Sequence, residues 1–212
     1  MTRLRLCFDF DNTMVGLTEG LIMLHNRRCA CRLLSMADFT TYDAAPCPVW
    51  KQRVEEFYAS DGHYIACVQP YPHAFEVVER LARVHDVRII SRYMKRDRDT
   101  TERKRAVLHQ HCAPIMHLLT GVYAGNQRGK DGRHLKRPVA PLAEGAHVIV
   151  DDAPLSIQAS RLANVGATII AAAQPYNLVT EAAAHARVHV ALGGWLTIEA
   201  IIMCIDRPAR RP

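Results

Sequence analysis

The chain of 212 residues contains no run of about 18 apolar residues, the length that a membrane-spanning helix requires. Its first residues, "MTRLRL", lack the long apolar stretch and the small-residue cleavage site of a secretory signal peptide. The 7 cysteines are odd in number and scattered along the chain, which disfavours a disulfide framework. We therefore expect a cytoplasmic protein with free thiols and no membrane partner.

Two familiar ligand-binding patterns are also missing. The segment "GKDG" (129–132) does not extend to the Gly-x₄-Gly-Lys-Ser/Thr pattern of a phosphate-binding P-loop. The histidine-rich segment 109–117 and the pair Cys29 and Cys31 match no strong zinc template in their spacing. We therefore expect neither a P-loop nor a structural zinc site from these segments.

Acidic residues are fewer than basic ones, which leaves a formal net charge of +6, and most of the basic residues are arginine. Arginine binds phosphate groups well because its guanidinium presents a planar fork of N–H donors. A solvated basic surface is the better explanation of the excess, so nucleic acid is not an expected partner.

Hydrophobic residues make up 49% of the chain, which is enough for one sizeable core with a smaller insertion. Short apolar segments alternate with stretches of helical periodicity. This alternation predicts an α/β fold with a doubly wound parallel sheet that is covered by helices on both faces. The predicted strands span 3–8, 87–91, 117–125, 146–152 and 167–173.

The segment 16–70 differs from the rest, because it is rich in aromatic residues and contains no clear parallel strand. Apolar residues recur in it at helical spacing, as at Leu17, Leu21 and Leu24. We predict that 16–70 is a small helical cap inserted after strand one. The core then comprises 1–15 and 71–205, and 206–212 is a basic, flexible tail.

Polar side chains follow the predicted strands at their carboxyl ends, where sheets of this type bind their ligands. Asp9 and Asp11 end the first strand, and residues i and i+2 of a strand point the same way, toward one centre. Ser91 ends the second strand, and Asp151 and Asp152 end the fourth.

A lysine in the loop after the third strand completes this set. We prefer Lys136, which precedes Pro138 and lies closer in sequence to the second aspartate pair, and we keep Lys130 as the alternative. Clustered carboxylates repel one another, and their hard oxygens suit Mg²⁺. A magnesium ion, a lysine and a small hydroxyl donor can together hold a phosphoryl group for attack by an aspartate.

The motif "DFDNT" (9–13), Ser91 after "RII", a downstream lysine and "DD" (151–152) after "VIV" resemble the four motifs of the haloacid dehalogenase-like phosphatases, in the expected order. The resemblance implies that Asp9 is the nucleophile and Asp11 the general acid and base. It also implies that Ser91 and the lysine bind the phosphoryl oxygens.

The same resemblance implies a Mg²⁺ site. Asp9, the carbonyl group of Asp11 and Asp152 would be the ligands. Asp151 would lie beside them and orient the lysine or a metal-bound water.

A longer segment, "SDGHYIACVQPYPHAFEVVERLARVHDVRIIS", and the late "QPYN" and "GGWLTIEAI" are similar to the 5′(3′)-deoxyribonucleotidases of that superfamily. In that family cap aromatics sandwich the nucleobase, and the matching positions are His63 and Tyr64. The chain departs from the family at Asn12, where glycine is usual, and at Arg92, where a small residue is usual. Asn12, Arg92, His63 and Tyr64 are the candidate substrate-binding residues.

The sequence therefore predicts a Mg²⁺-dependent 5′-nucleotidase that dephosphorylates ribo- or deoxyribonucleoside monophosphates through an aspartyl-phosphate. One alternative is a phosphatase for another small phosphomonoester. A second alternative is a catalytically silent scaffold of the same fold with a binding role. The expected partners are a small phosphomonoester and Mg²⁺, and a homodimer is left open.

Overall fold

The computed structural model describes most of the chain, including the first, second and fourth motifs and all of the predicted strands except 124 and 125, at the end of the third, which lie outside the described residues. In the part that it describes, no helix is long and apolar enough to cross a membrane. The predicted lysines, Lys130 and Lys136, lie outside the described residues. The structure describes 3–28, 31–41, 45–59, 61–93, 99–123, 127–128, 134–135, 145–163, 166–175, 177 and 188–205.

The strands are short, as expected for a buried sheet made of apolar segments of four to eight residues. Six of them belong to one sheet, and two residue pairs form a separate two-stranded antiparallel ladder. In chain order they are β1 (Arg5–Asp9), β2 (Asp86–Tyr93), β3 (Leu119–Tyr123), β4 (Gln127–Arg128), β5 (His134–Leu135), β6 (Val148–Asp151), β7 (Thr168–Ala172) and β8 (Val188–Ala191).

The large sheet has the order β3-β2-β1-β6-β7-β8, and every neighbouring pair is parallel. The chain builds outward from β1 to one edge and then from β6 to the other. The strand order therefore reverses between β1 and β6, and a crevice forms outside their carboxyl ends. The prediction of a doubly wound α/β fold is confirmed.

Helices connect the strands, and short 3-10 helices at Met36–Asp38 and Ala113–Leu118 accompany them. In chain order the α-helices are α1 (Leu17–Arg28), α2 (Trp50–Ala59), α3 (Asp61–Cys67), α4 (Ala74–Ala82), α5 (Asp99–Cys112), α6 (Pro154–Ala163) and α7 (Trp195–Ile205).

The sheet is buried on both faces, as the alternation along β1 shows. Leu6 and Phe8 point into the larger apolar cluster, whereas Cys7 between them points into a smaller cluster on the other face. Phe8 packs against Trp195 at the start of α7, with ring centroids 5.4 Å apart. Side-chain alternation with a period of two explains why a continuous apolar run is required here.

Helices α1, α2 and α3 lie between β1 and α4 along the chain, within the segment that the sequence predicts to be a cap. Gly20 of α1 lies against the end of α3, where an added Cβ would stand 3.0 Å from the Cys67 carbonyl oxygen. The absence of a side chain at Gly20 therefore lets α1 and α3 pack closely.

The sequence pattern does not predict β8. This edge strand has four residues, and its second residue, His189, is exposed. A four-residue strand with a polar residue in the middle gives almost no periodic signal.

Candidate active site

The carboxyl end of β1 runs into a tight turn around Asn12, whose φ is 55°. Asparagine tolerates this left-handed conformation better than most residues other than glycine. The Asn12 N–H donates to the Val15 carbonyl at 2.7 Å, and its side-chain oxygen accepts from the Thr18 N–H at 2.8 Å. Asn12 therefore shapes the turn and caps the first turn of α1, in a left-handed conformation that glycine also adopts easily.

Three carboxylates meet at the crevice between β1 and β6. One oxygen from each of Asp9, Asp151 and Asp152 lies within 4.8 Å of the other two. The Thr13 hydroxyl lies 3.2 Å from Asp152 Oδ1 and 3.5 Å from Asp9 Oδ2, so it can donate to either. The Ala153 N–H donates to Asp151 Oδ1 at 2.8 Å.

This cluster has an electrostatic consequence for Asp9. Burial raises the pKa of the Asp9 carboxyl well above its usual range, and repulsion from Asp151, Asp152 and Asp11 raises it further, while Lys104 lowers it. A bound divalent cation would relieve this repulsion. Three hard carboxylate oxygens in a buried crevice are a donor set that Mg²⁺ accepts, so these residues fit the metal that the sequence predicts.

Asp11 lies beside the cluster of Asp9, Asp151 and Asp152, and its carboxylate has hydrogen-bond partners of its own. Lys104 of α5 donates to Asp11 Oδ2 and also contacts Ser91 Oγ. The hydroxyl group of Tyr64, from α3, donates to Asp11 Oδ1 at 3.0 Å. Two strands and two helices thus bring a carboxylate, a hydroxyl group, an ammonium group and a phenol together.

Lys104 is 1% exposed, and its ammonium group also lies 5.8 Å from the centroid of the Phe10 ring. Local sequence does not mark Lys104 as a site residue, because it stands in "ERKR", a run of charges that is typical of a solvated helix face. The signal that could have found it is spacing. Lys104, Val107 and Leu108 follow the i, i+3, i+4 pattern of one helix face, and all three are buried.

The candidate substrate residues in the cap have different surroundings. The Tyr64 ring is fully buried and packs on Phe57 and Tyr58, with centroids 5.6 Å and 6.4 Å away. The His63 ring lies 3.1 Å from an Arg28 guanidinium nitrogen and 3.3 Å from the Glu56 carbonyl oxygen. The side chain of Arg92 lies outside the described part of the chain.

Residues from the late "QPYN" and "GGW" segments support the loops that follow β1 and β6. The Gln174 side-chain amide donates to the Asn12 carbonyl at 2.8 Å, and the Trp195 indole donates to the Thr13 carbonyl at 2.9 Å. Asn177 donates to the Asp152 carbonyl at 2.9 Å. These bonds fix the backbone on which the acidic side chains stand.

A cavity of about 280 Å³ lies next to these loops. Asn12, Thr13 and Gln174 line its inner side, and Leu192 and Leu196 line part of the rest. None of the four aspartates lines it, so the acidic crevice and this largely apolar cavity are different places.

Searches with the sequence find no match among protein-family models and none among curated proteins. Solved structures do match. A haloacid dehalogenase-like protein of unknown function from Agrobacterium tumefaciens has a TM-score of 0.62 at 15% identity, over 97% of this chain and 100% of that one.

A haloacid dehalogenase family hydrolase from Deinococcus radiodurans, solved with bound phosphate and sodium, has a TM-score of 0.60 at 16% identity, over 96% of this chain and 94% of that one. A haloacid dehalogenase-like hydrolase from Streptococcus pneumoniae has a TM-score of 0.57 at 13% identity, over 95% of this chain and 98% of that one.

The chain has the haloacid dehalogenase-like fold. In sheets of this type the ligand site lies beyond the carboxyl ends of the central strands, where Asp9 and Asp151 stand. At these identities the likeness concerns the fold. The closer resemblance to the 5′(3′)-deoxyribonucleotidases stays a prediction from the sequence.

Proposed function

We propose that this protein is a Mg²⁺-dependent phosphomonoesterase that works through an aspartyl-phosphate on Asp9. One observation carries the proposal: Asp9 stands in a three-carboxylate cluster, while Lys104 spans Asp11 and Ser91 immediately beside it. A cluster of carboxylates next to a buried ammonium group can both hold a phosphoryl group and attack it.

In the first step, an oxygen of Asp9 attacks phosphorus, and the bond from phosphorus to the ester oxygen breaks. Asp11 delivers a proton to the departing oxygen, so that an alcohol leaves. Lys104 and Ser91 bind the phosphoryl oxygens and stabilise the charge that develops on them.

In the second step, Asp11 takes a proton from a water molecule, which attacks the phosphorus of the aspartyl-phosphate. The bond from phosphorus to Asp9 breaks, and inorganic phosphate leaves. When bound at Asp9, Asp151 and Asp152, Mg²⁺ supplies Lewis-acid stabilisation and neutralises the carboxylates. The Thr13 hydroxyl group, between Asp9 and Asp152, orients these two carboxylates.

For the phosphate-binding lysine, the structure suggests a different residue from the one that the sequence predicts. Lys104 belongs to α5, which follows the second motif, and its ammonium group already contacts Ser91. We propose Lys104 for the phosphate-binding role in place of Lys136 or Lys130.

For the substrate we propose a nucleoside monophosphate. The support is the sequence similarity of the cap, second-motif and tail segments to the 5′(3′)-deoxyribonucleotidases. The tail segments supply Gln174, Asn177 and Trp195, which hold the catalytic loops. In the described conformation the Tyr64 ring is buried, and its hydroxyl group donates a hydrogen bond to Asp11. We therefore assign to Tyr64 the role of positioning Asp11.

The experiment is a phosphate-release assay on ribo- and deoxyribonucleoside 5′- and 3′-monophosphates, sugar phosphates and an aryl phosphate, with Mg²⁺ and with EDTA. We expect Mg²⁺-dependent release that is fastest with nucleotides. Nucleotides that react no faster than the aryl phosphate would leave a phosphatase for another small ester. No release from any compound by folded, Mg²⁺-binding protein would contradict the catalytic proposal.

The Asp9→Asn variant tests the covalent mechanism. We expect kcat to fall by at least about a thousandfold, because the attacking oxygen is lost. Loss of activity in Asp9→Asn with an unchanged fold, measured by circular dichroism, supports the mechanism. Substantial turnover by Asp9→Asn, free of contaminating phosphatase, would exclude it.

A further inference from the structure

Away from the acidic crevice, a second group of metal-binding side chains lies in the segment before β2. One ligand atom from each of His25, Cys31 and Cys47 lies within 4.8 Å of the other two. His25 comes from α1, whereas Cys31 and Cys47 come from the largely irregular chain between α1 and α2. The local fold therefore brings together three residues that are not adjacent in sequence.

The His25 ring is fully buried, and both of its nitrogens face a potential partner. Nδ1 lies 3.9 Å from the Cys47 sulfur, and Nε2 lies 3.9 Å from the Cys31 sulfur. Nε2 also lies 3.1 Å from the Arg32 carbonyl oxygen, to which it can donate a hydrogen bond. A backbone carbonyl that fixes one ring nitrogen and leaves the other for a metal is the usual surrounding of a metal-binding histidine.

The spacing suits zinc. Zinc bonds of about 2.3 Å to sulfur and about 2.0 Å to nitrogen, at tetrahedral angles, place ligand atoms about 3.5–3.8 Å apart. A single ion binds only one ring nitrogen, and with Nε2 on the Arg32 carbonyl that nitrogen is Nδ1, whose 3.9 Å contact with the Cys47 sulfur is close to this value. The three-residue group as a whole stays within 4.8 Å, about 1 Å above the ideal spacing, and reduction frees the exposed Cys31 side chain to rotate toward the ion.

We propose that His25, Cys31 and Cys47 bind a zinc ion in the reduced protein, with a fourth ligand completing the tetrahedron. Binding replaces the two thiol protons with zinc–sulfur bonds, so two protons leave for each ion bound. The spacing of Cys29 and Cys31 alone does not predict a zinc site. The fold adds a buried histidine and a second cysteine to Cys31.

Oxidation state decides whether the site can form. Contrary to the expectation of free thiols from the sequence, the structure holds Cys31 in a disulfide, and its sulfur then cannot act as a thiolate. A thiol or phosphine reductant must supply two electrons to break that bond, after which each sulfur takes up a proton. Cys47 is a free thiol. Zinc binding is therefore a property of the reduced chain.

The ion would join α1 to a stretch with little regular structure of its own. The stretch 31–41 has one 3-10 turn, and it packs through Phe39 on Trp50, whose ring also faces His25 with centroids 6.2 Å apart. Metals often stabilise small units whose apolar core is limited.

The first test uses the full-length wild-type protein, reduced until all 7 thiols react, with and without Zn²⁺. Iodoacetamide alkylation is then mapped by mass spectrometry. We expect zinc to slow alkylation of Cys31 and Cys47 at least about tenfold, because a metal-bound sulfur is a poor nucleophile. The exposed Cys204 is the internal control and should react equally in both samples. Equal rates at Cys31 and Cys47 with and without zinc would overturn the proposal.

The second test uses Co²⁺ as a spectroscopic probe. A thiolate–cobalt charge-transfer band in the near ultraviolet identifies sulfur ligands, and the aspartate cluster cannot produce it. We expect about one equivalent of Co²⁺ to produce the band, and Zn²⁺ to abolish it. Cys47→Ser should remove the band, whereas Cys67→Ser, at a free cysteine nearby in the chain, should leave it unchanged. No band in the reduced wild type would overturn the proposal.

Discussion

At the scale of single residues, Asp11 has both carboxylate oxygens engaged, one by Tyr64 and one by Lys104. The two donors differ in kind. Burial and the nearby Asp11 raise the pKa of the Tyr64 phenol, so it stays a neutral donor. The lysine brings a charge and also reaches Ser91. Lys104 therefore links Asp11 to Ser91, the proposed phosphate-binding hydroxyl group, whereas Tyr64 holds the Asp11 carboxylate in place.

Replacement of Lys104 by methionine keeps the length of the side chain and removes its charge. We expect kcat/KM to fall by about 10²–10³, the effect of removing one preorganised electrostatic donor. Steady-state kinetics of Lys104→Met measures this, with the exposed Lys51→Met as the matched control. Lys130→Met and Lys136→Met should behave like the control, and a larger loss in either would return the role to the loop lysines.

Tyr64→Phe removes one hydroxyl group and leaves the packing on Phe57 and Tyr58. Because a buried hydrogen bond to a charged group contributes about 1.5–3 kcal/mol, we expect the free energy of unfolding to fall by a similar amount. The value of kcat should fall more than KM changes, since Asp11 loses its orientation. Urea denaturation and steady-state kinetics measure the two effects. A change confined to KM would instead indicate that Tyr64 contacts substrate.

At the scale of elements, the position of Tyr64 depends on the close packing of α1 and α3. This contact between α1 and α3 requires a glycine at Gly20, because the Cys67 carbonyl oxygen occupies the space that a side chain would need. The backbone of α3 then holds the phenol over the carboxyl end of β1. Packing between two helices thus affects the position of Asp11, the proposed general acid.

Gly20→Val tests this packing. We expect it to lower the free energy of unfolding by about 1–3 kcal/mol, because an inserted side chain in a filled space forces the backbone to shift. Gly166→Val is the control, because an added Cβ there meets nothing within 4 Å. Thermal unfolding compares the two variants, and equal melting temperatures would show that α1 and α3 can separate freely.

The same scale explains what the sequence could predict. Strands β1, β2 and β6 each contain a short, mostly apolar segment, so their positions follow from the pattern, and the polar residues after those segments are the candidate site residues. Strand β8 is too short for a pattern. The burial of Lys104 could not be predicted, because one turn of the helix carries four charged residues. Only the packing of α5 against the sheet decides which of these side chains are buried. Local pattern cannot reveal a contact between residues 13 positions apart, such as Ser91 and Lys104.

At the scale of the whole molecule, the acidic crevice opposes folding when no cation is bound. The pKa of the Asp9 carboxyl is raised in the folded state. The unfavourable effect of this carboxyl on the free energy of unfolding is therefore absent at pH values below the ordinary aspartate pKa. It grows as the pH rises through the raised pKa, where the folded protein must ionise a buried, repelled carboxyl.

We therefore expect metal-free Asp9→Asn to be more stable than metal-free wild type at neutral pH, by about 1 kcal/mol. The difference should shrink as the pH falls below the usual aspartate range, since both side chains are then neutral. Mg²⁺ should raise the melting temperature of the wild type more than that of Asp9→Asn. Calorimetry across pH with EDTA or Mg²⁺ measures all three quantities, and a wild type that is the more stable at neutral pH would contradict the argument.

The chain has 2 tryptophans, and the fold gives each a different neighbourhood. The Trp195 indole donates to the Thr13 carbonyl beneath the acidic crevice, while Trp50 faces His25. Tryptophan fluorescence therefore comes from one residue near each candidate metal centre. A Trp50→Phe protein would report Mg²⁺ at the crevice through Trp195 alone, and a Trp195→Phe protein would report zinc through Trp50, so occupancy of the two sites can be followed separately without any added dye.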